Sequence, residues 1–184
     1  CFCTRKEVER EIAAAPSAPH GPDGPLYPGT CLELGEAEHQ GRMAAGTAFA
    51  VRLDSAKAAR LVPDGLFWED RQAGRQLLQP RLHGDVVLAR KDTPTSYHLA
   101  VTVDDALQGI SHVTRGADLF AATHVHRLLQ ALLDLPTPLY DHHRLLRDDN
   151  GIRMAKRYGA VSLAQLRDDG QKPEVLRRSL GFEF

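Results

Sequence analysis

Residues 16–30 carry Pro16, Pro19, Pro22, Pro25 and Pro28 together with Gly21, Gly24 and Gly29. Proline offers no backbone N–H and glycine loses the most freedom on ordering, so neither a helix nor a central strand survives this composition. The stretch is an irregular loop that something else must hold in place. Cys1 and Cys3 precede it and Cys31 follows it. Two thiolates one residue apart, with a third delivered by a returning loop, suit a tetrahedral zinc ion. A fourth ligand is open on this reading: His20, Tyr27 and His39 are all within reach, and imidazole is the ordinary choice. The alternative is three thiols without metal. A zinc ion here would be structural, because it pins a loop that could not hold itself together, and three thiolates make its bound water a poor source of nucleophile for a hydrolase. An odd number of cysteines excludes a complete disulfide framework.

Elsewhere the pattern alternates between elements. Thr4 and Glu7 have capping-box spacing, which predicts a helix from Thr4 through Val8 and Ile12 to the residues before Pro16. Strands are predicted at 47–52, 65–69 and 85–90. The alternation of Tyr97, Leu99, Val101 and Val103 with His98, Ala100 and Thr102 predicts another strand at 97–103, ending at Asp104 and Asp105. Ser111–Thr114 is a further short strand. Ala122–Leu133 reads as an amphipathic helix, with Val125, Leu128, Leu129, Leu132 and Leu133 on one side and Pro136 beyond its end. Asp149-Asn150-Gly151 is a turn signal, and short helices are expected at 162–168 and 173–180. His142 and His143, adjacent in an extended segment, point to opposite faces and read as structural. Strands interleaved with helices give an α/β class.

A chain of 184 residues fits one domain, or one with a small appendage. The 23 basic and 24 acidic residues balance. A general nucleic-acid binder is more basic, so any RNA contact must be local. No apolar run is long enough to cross a bilayer and no signal peptide is visible, so a cytoplasmic protein is expected. Read singly, Tyr97 is a half-buried strand residue, Arg115 an ion-pair partner and Lys156 a solvated loop charge.

Taken in order, these segments form a more specific set. Cys1-Phe-Cys3 is followed by Tyr27-Pro-Gly-Thr-Cys31 and Gly84-Asp-Val-Val87. Then come Tyr97-His-Leu-Ala-Val101, Val103-Asp-Asp-Ala-Leu-Gln-Gly109 and His112-Val-Thr-Arg115-Gly-Ala-Asp118-Leu. Arg153-Met-Ala-Lys156-Arg157 closes the series. The set covers nearly the whole chain and resembles the glutamyl branch of the class I aminoacyl-tRNA synthetases. The Tyr-x-x-x-Cys spacing is similar to that of its short, queuosine-directed members, which lack an anticodon-binding domain.

That resemblance implies a partial Rossmann-type catalytic domain over residues 1–184, with a zinc-bearing insertion at 1–31 and no anticodon-binding domain. It implies zinc on Cys1, Cys3, Tyr27 and Cys31, and glutamate on Tyr97 and Arg115. It also implies a signature loop, Arg153, Met154, Ala155, Lys156 and Arg157, whose Lys156 contacts ATP. This copy departs from the branch's Lys-Met-Ser-Lys-Ser at Arg153, Ala155 and Arg157. The implied substrates are glutamate, ATP with Mg2+, and queuosine-bearing aspartate tRNA. Catalysis would be by positioning and charge stabilisation, with no residue assigned a covalent role. Nothing in the chain matches the branch's His-Ile-Gly-His signature. The expectation is that this signature belongs to a preceding portion and that the chain alone is not competent. An ordinary glutamyl-tRNA synthetase and a non-catalytic zinc-binding RNA module are the competing readings.

Overall fold

In the computed structural model, residues 1–14, 20–147, 150–151, 153–154 and 161–181 are described. They fall into two compact units, Cys1–His143 and Arg144–Phe184. The first unit runs α1 (Arg5–Ala14), β1 (His20–Gly21), β2 (Gly24–Pro25), α2 (Glu36–Ala44), β3 (Val51–Arg52), α3 (Ser55–Leu61), β4 (Phe67–Asp70), β5 (Gly74–Leu77) and β6 (Val87–Ala89). It continues with α4 (Tyr97–Leu107), β7 (His112–Gly116), α5 (Thr123–Leu132) and β8 (Leu139–His143). The second unit holds α6 (Leu163–Asp168) and α7 (Pro173–Ser179).

The principal sheet has the order β5-β4-β8-β7. β8 lies parallel to both β7 and β4, while β5 folds back antiparallel on β4. Parallel neighbours need a crossover, and α5 supplies it between β7 and β8. The apolar stripe expected of α5 is present: Val125, Leu128 and Leu129 are buried. Trp68 from β4 and Tyr140 from β8 are among the most deeply buried side chains and reach α5 at His124 and Gln130. The Trp68 ring meets Phe120, His124 and Tyr140 edge-on, with centroids 5.0, 5.5 and 5.5 Å away. Burial of each large apolar side chain contributes about 1.5–3 kcal/mol. Gln130 on α5 enters this core and its Nε2 donates to the Tyr140 hydroxyl at 2.9 Å, while its Oε1 is buried without a partner among the described residues.

The capping box at the start of α1 is formed: Thr4 N–H donates to the Glu7 carboxylate and Glu7 N–H to Thr4 Oγ1. Among its described residues, the Pro/Gly stretch contains only the two-residue pair β1–β2 and the start of a 3-10 turn at Thr30–Leu32. Gly21 is fixed by crowding, since a Cβ there would lie 2.5 Å from Leu26 Cδ2 and 2.8 Å from the Leu82 carbonyl oxygen. Of the strand expected at 47–52, only Val51–Arg52 is regular, paired with β6.

One expectation is overturned. Residues 97–107 form a helix, α4, in place of a strand at 97–103. Ser96 is its N-cap, its hydroxyl accepting from Leu99 N–H, and no breaker interrupts the run until Gly109. Cap and length outweigh a short alternation. In helical register His98, Thr102 and Asp105 share a face, and the Thr102 hydroxyl donates to the His98 carbonyl one turn back. Asp104 and Asp105 therefore sit on a helix rather than at a strand end, and a helix-turn-strand, not a strand-turn-strand, leads to Arg115.

Within the second unit, Arg147 and Arg153 form an antiparallel bridge, and Met154 N–H donates to the Leu146 carbonyl at 2.9 Å. Gly151 takes a positive φ of 76° at the turn, as the Asn-Gly signal requires. Ser162 caps α6, and Pro173 occupies the first turn of α7.

Candidate functional site

The first unit brings two sets of side chains together. One is the cysteine cluster. The Cys1 nitrogen donates to the Ala50 carbonyl, and Ala50 N–H donates back to the Cys1 carbonyl, each at 2.8 Å. This reciprocal pair, with Lys91 Nζ on the Phe2 carbonyl, ties the Cys-x-Cys segment to the body of the unit. The turn at Thr30–Leu32 then presents Cys31. The sulfurs of Cys1, Cys3 and Cys31 all lie within 4.8 Å of one another. Around a tetrahedral zinc with bonds of about 2.3 Å, sulfurs sit about 3.8 Å apart, so the three thiols are already near coordinating positions.

The Tyr27 hydroxyl lies beside these sulfurs. It lies 3.3 Å from Cys1 Sγ and accepts from Cys31 N–H at 2.9 Å. Among the described residues the cluster contains no imidazole. His39 instead packs its ring against Phe2, 5.4 Å between centroids, and His20 lies on β1. Burial and the neighbouring Cys31 push the Cys3 thiol up. For Cys31 burial acts upward too, but hydrogen bonds from the Cys3 thiol and from Phe2 N–H outweigh it and hold this thiol down. The Arg52 guanidinium stands over the Tyr27 ring at 3.9 Å. It places a positive charge beside a donor set whose three thiolates would exceed the charge of a zinc ion.

The other set converges on Arg115. Arg115 lies near the end of β7, His142 near the end of β8 and Asp70 at the end of β4. These are the carboxyl ends of three mutually parallel strands, where open α/β sheets bind their ligands. Arg115 Nε donates to His142 Nε2 at 3.0 Å, Nη1 lies 2.9 Å from His126 Nδ1, and Nη2 donates to the Thr123 hydroxyl. His126 Nε2 is 3.1 Å from His98 Nδ1 on α4. The His126 ring also meets the Tyr97 ring edge-on, with centroids 5.8 Å apart. Tyr97 and Arg115 thus touch the same imidazole from two sides. Tyr97 itself is 52% exposed on the first turn of α4.

The charges in this set are ordered. A guanidinium only donates, so His126 Nδ1 accepts and its proton resides on Nε2, which donates to His98. Burial, followed by the repulsion of Arg115, pushes the His126 pKa down to about 2. Burial likewise lowers His98 and, against the pull of Asp70, His142. All three imidazoles are neutral at pH 7. Asp70 stays ionised because hydrogen bonds from His142 and from the backbone of Ala73 and Gln72 outweigh its burial. His142 is buried and His143 exposed, the opposite-face arrangement expected of adjacent strand residues.

Of the signature loop, Arg153 and Met154 continue the paired segment of the second unit. Ala155, Lys156 and Arg157 lie outside the described residues. His98, His126, Thr123 and Asp70 were not singled out by sequence reasoning. Their one advance signal is the His-x-His spacing of His124 and His126 on a helix beginning shortly after Arg115, which alone does not separate a site from a core.

Residues 1–183 match the family of tRNA synthetases class I (E and Q), catalytic domain. The chain belongs to this family. Among its class I synthetase relatives, a glutamyl-Q tRNA(Asp) synthetase of Rhodobacter capsulatus is 44% identical, over 98% of this chain and 66% of that protein. One from Symbiobacterium thermophilum is 40% identical, over 99% of this chain and 54% of that protein. A glutamate–tRNA ligase 2 of Alkalilimnicola ehrlichii is 35% identical, over 96% of this chain and 35% of that protein. The chain thus spans between about half and two thirds of the glutamyl-Q relatives named here. The glutamate tRNA ligase of Elizabethkingia meningosepticum, solved in complex with its amino acid, superposes with a TM-score of 0.65 at 22% identity, covering 86% of this chain and 32% of that one. That likeness supports a partial Rossmann-type class I synthetase fold. Among the described residues no helix is long and apolar enough to cross a membrane.

Proposed function

We propose that this chain forms part of an enzyme that activates glutamate with ATP and transfers the glutamyl group to queuosine of aspartate tRNA in the cytoplasm. The reading is carried by one observation: Tyr97 and Arg115 meet at His126 at the carboxyl ends of the parallel strands. The Arg115 guanidinium suits a carboxylate of glutamate, and Tyr97 provides an aromatic wall with a hydroxyl. Lys156 would neutralise charge on the leaving pyrophosphate, and Mg2+ would accompany ATP. Zinc would be held by Cys1, Cys3, Tyr27 and Cys31. There it would supply a structural cross-link, closing a loop whose own sequence forms little regular structure among the described residues.

The names of the relatives at 40–44% identity, together with Tyr27 four residues before Cys31, favour the queuosine-directed reaction. The competing acceptor is the 3′ end of glutamate tRNA. The test measures transfer of labelled glutamate by the intact protein. Aspartate tRNA with queuosine and trimmed of its 3′-terminal adenosine should be labelled. The same tRNA lacking queuosine, and glutamate tRNA, should not be. Labelling of glutamate tRNA alone would replace this reading with that of an ordinary glutamyl-tRNA synthetase.

A further inference from the structure

Behind Arg115 lies a carboxylate that touches neither Tyr97 nor Arg115. We propose that Asp70 is a positioning residue: acting through His142, it sets the orientation in which Arg115 presents its guanidinium to the substrate carboxylate. The proposal rests on the reading of Arg115 as the glutamate-binding cation.

Asp70 is itself immobilised. Its Oδ1 accepts from Gln72 N–H at 2.9 Å and Ala73 N–H at 2.8 Å, in the turn joining β4 to β5. Its Oδ2 accepts from His142 N–H at 3.2 Å and lies 2.6 Å from His142 Nδ1. The Asp70 side chain is wholly buried and that of His142 is 2% exposed. An ionised carboxylate only accepts, so His142 carries its proton on Nδ1. Its Nε2 is then an acceptor, and Arg115 Nε–H donates to it at 3.0 Å. With the proton on Nε2 instead, two N–H groups would face each other across that distance.

Nε lies at the base of the guanidinium fork. Fixing it, together with one bond from Nη1 to His126 and one from Nη2 to Thr123, fixes the plane of the fork. Each terminal nitrogen keeps a second hydrogen, so the fork retains donors for a planar carboxylate. The sheet provides the connection. Asp70 is in parallel register with Tyr140, which brings it beside His142, and Arg115 pairs with His142 on the other side.

Asp70→Asn tests this at nearly constant volume. With its amide oxygen on the two turn N–H groups, the substituted side chain turns its NH2 toward His142 Nδ1 and drives the imidazole proton to Nε2. Glutamate-dependent ATP–pyrophosphate exchange by the intact protein should show a glutamate KM raised about tenfold or more, the loss of one aligned charge-assisted hydrogen bond. The KM for ATP should stay within about twofold, because the fork and not the fold has changed. Nitrogen-15 NMR should find His142 protonated on Nδ1 in the wild type and on Nε2 in the variant. A wild-type His142 protonated on Nε2 overturns the proposal by itself. An unchanged glutamate KM in Asp70→Asn, with a raised one in Arg115→Ala, overturns it while leaving the glutamate reading standing. An unchanged KM in Arg115→Ala removes both. If Asp70→Asn does not fold, His142→Phe keeps a ring and the carboxylate but removes the acceptor: the same KM split supports the proposal and its absence refutes it.

Discussion

His126 is the joint between Tyr97 and Arg115, and its burial in neutral form should make the fold sensitive to acid. Its folded-state pKa is about 2, against 6.5 for an ordinary histidine. A histidine with a depressed folded pKa takes up a proton more readily when unfolded. Its contribution to stability is therefore complete above pH 6.5 and is lost progressively as pH falls toward 2. Between pH 6.5 and pH 4.5 the unfolded side chain gains its proton and the folded one does not. Two pH units at about 1.4 kcal/mol each give a loss of about 3 kcal/mol from this residue. Its side chain is almost fully buried, so solvent screening does little to reduce the figure. His126→Gln isolates the effect. Glutamine can accept from Arg115 with its oxygen and donate to His98 with its nitrogen, but it does not titrate. Urea unfolding of both proteins at pH 7 and pH 4.5 should show the wild type losing about 3 kcal/mol more than the variant on acidification. Protonation of Asp70, of the other histidines and of any zinc-bound thiolates occurs in both proteins and cancels in the difference. Equal losses would mean that His126 is not held neutral by burial against Arg115, and the tautomer chain drawn through it would fall.

Metal analysis of the purified protein should find one zinc per chain, lost in Cys31→Ala and weakened in Tyr27→Phe; full retention in Cys31→Ala would remove the site. Gly21→Ala should lower stability by about 1–3 kcal/mol in a thermal melt, because the new methyl meets a backbone carbonyl that cannot easily retreat. An unchanged melting temperature would show that the β1–β2 pair is not seated against Leu82. Lys156→Ala in the intact protein should depress pyrophosphate exchange at saturating glutamate, and undiminished exchange would strike out its assigned role.

How far the chain could be read depended on the range of the forces at work. Local signals were legible: the Thr4–Glu7 box started α1, the leucine spacing placed α5, and Pro/Gly content predicted a stretch with little regular structure. The alternation at 97–103 misled because tyrosine, valine and threonine favour strands, while the deciding residue, Ser96, lies one position outside the pattern. α3 had a readable start in Asp54, which accepts from Lys57 N–H, but its seven residues gave too short a period to register. The Arg115 network was illegible for another reason. Asp70 and His142 are 72 residues apart and meet only because β4 and β8 pair in parallel. Nothing in either local sequence specifies that partner.

The βαβ unit from β7 to β8 explains why the site carries so much fixed polarity. A guanidinium at a strand's carboxyl end, behind a packed aromatic layer, must be balanced or expelled. The buried carboxylate that the sheet sets behind it is Asp70, and direct contact would form a closed ion pair that satisfies Arg115 inward. The imidazole of His142 keeps the two charges apart while passing a hydrogen bond from one to the other. His126 and Thr123, both supplied by the crossover helix, hold the remaining nitrogens through neutral acceptors. Arg115 is thus oriented without being neutralised by contact. On the proposed reading, a substrate carboxylate arriving at the fork would meet a positive charge whose compensating negative charge lies one ring further into the protein.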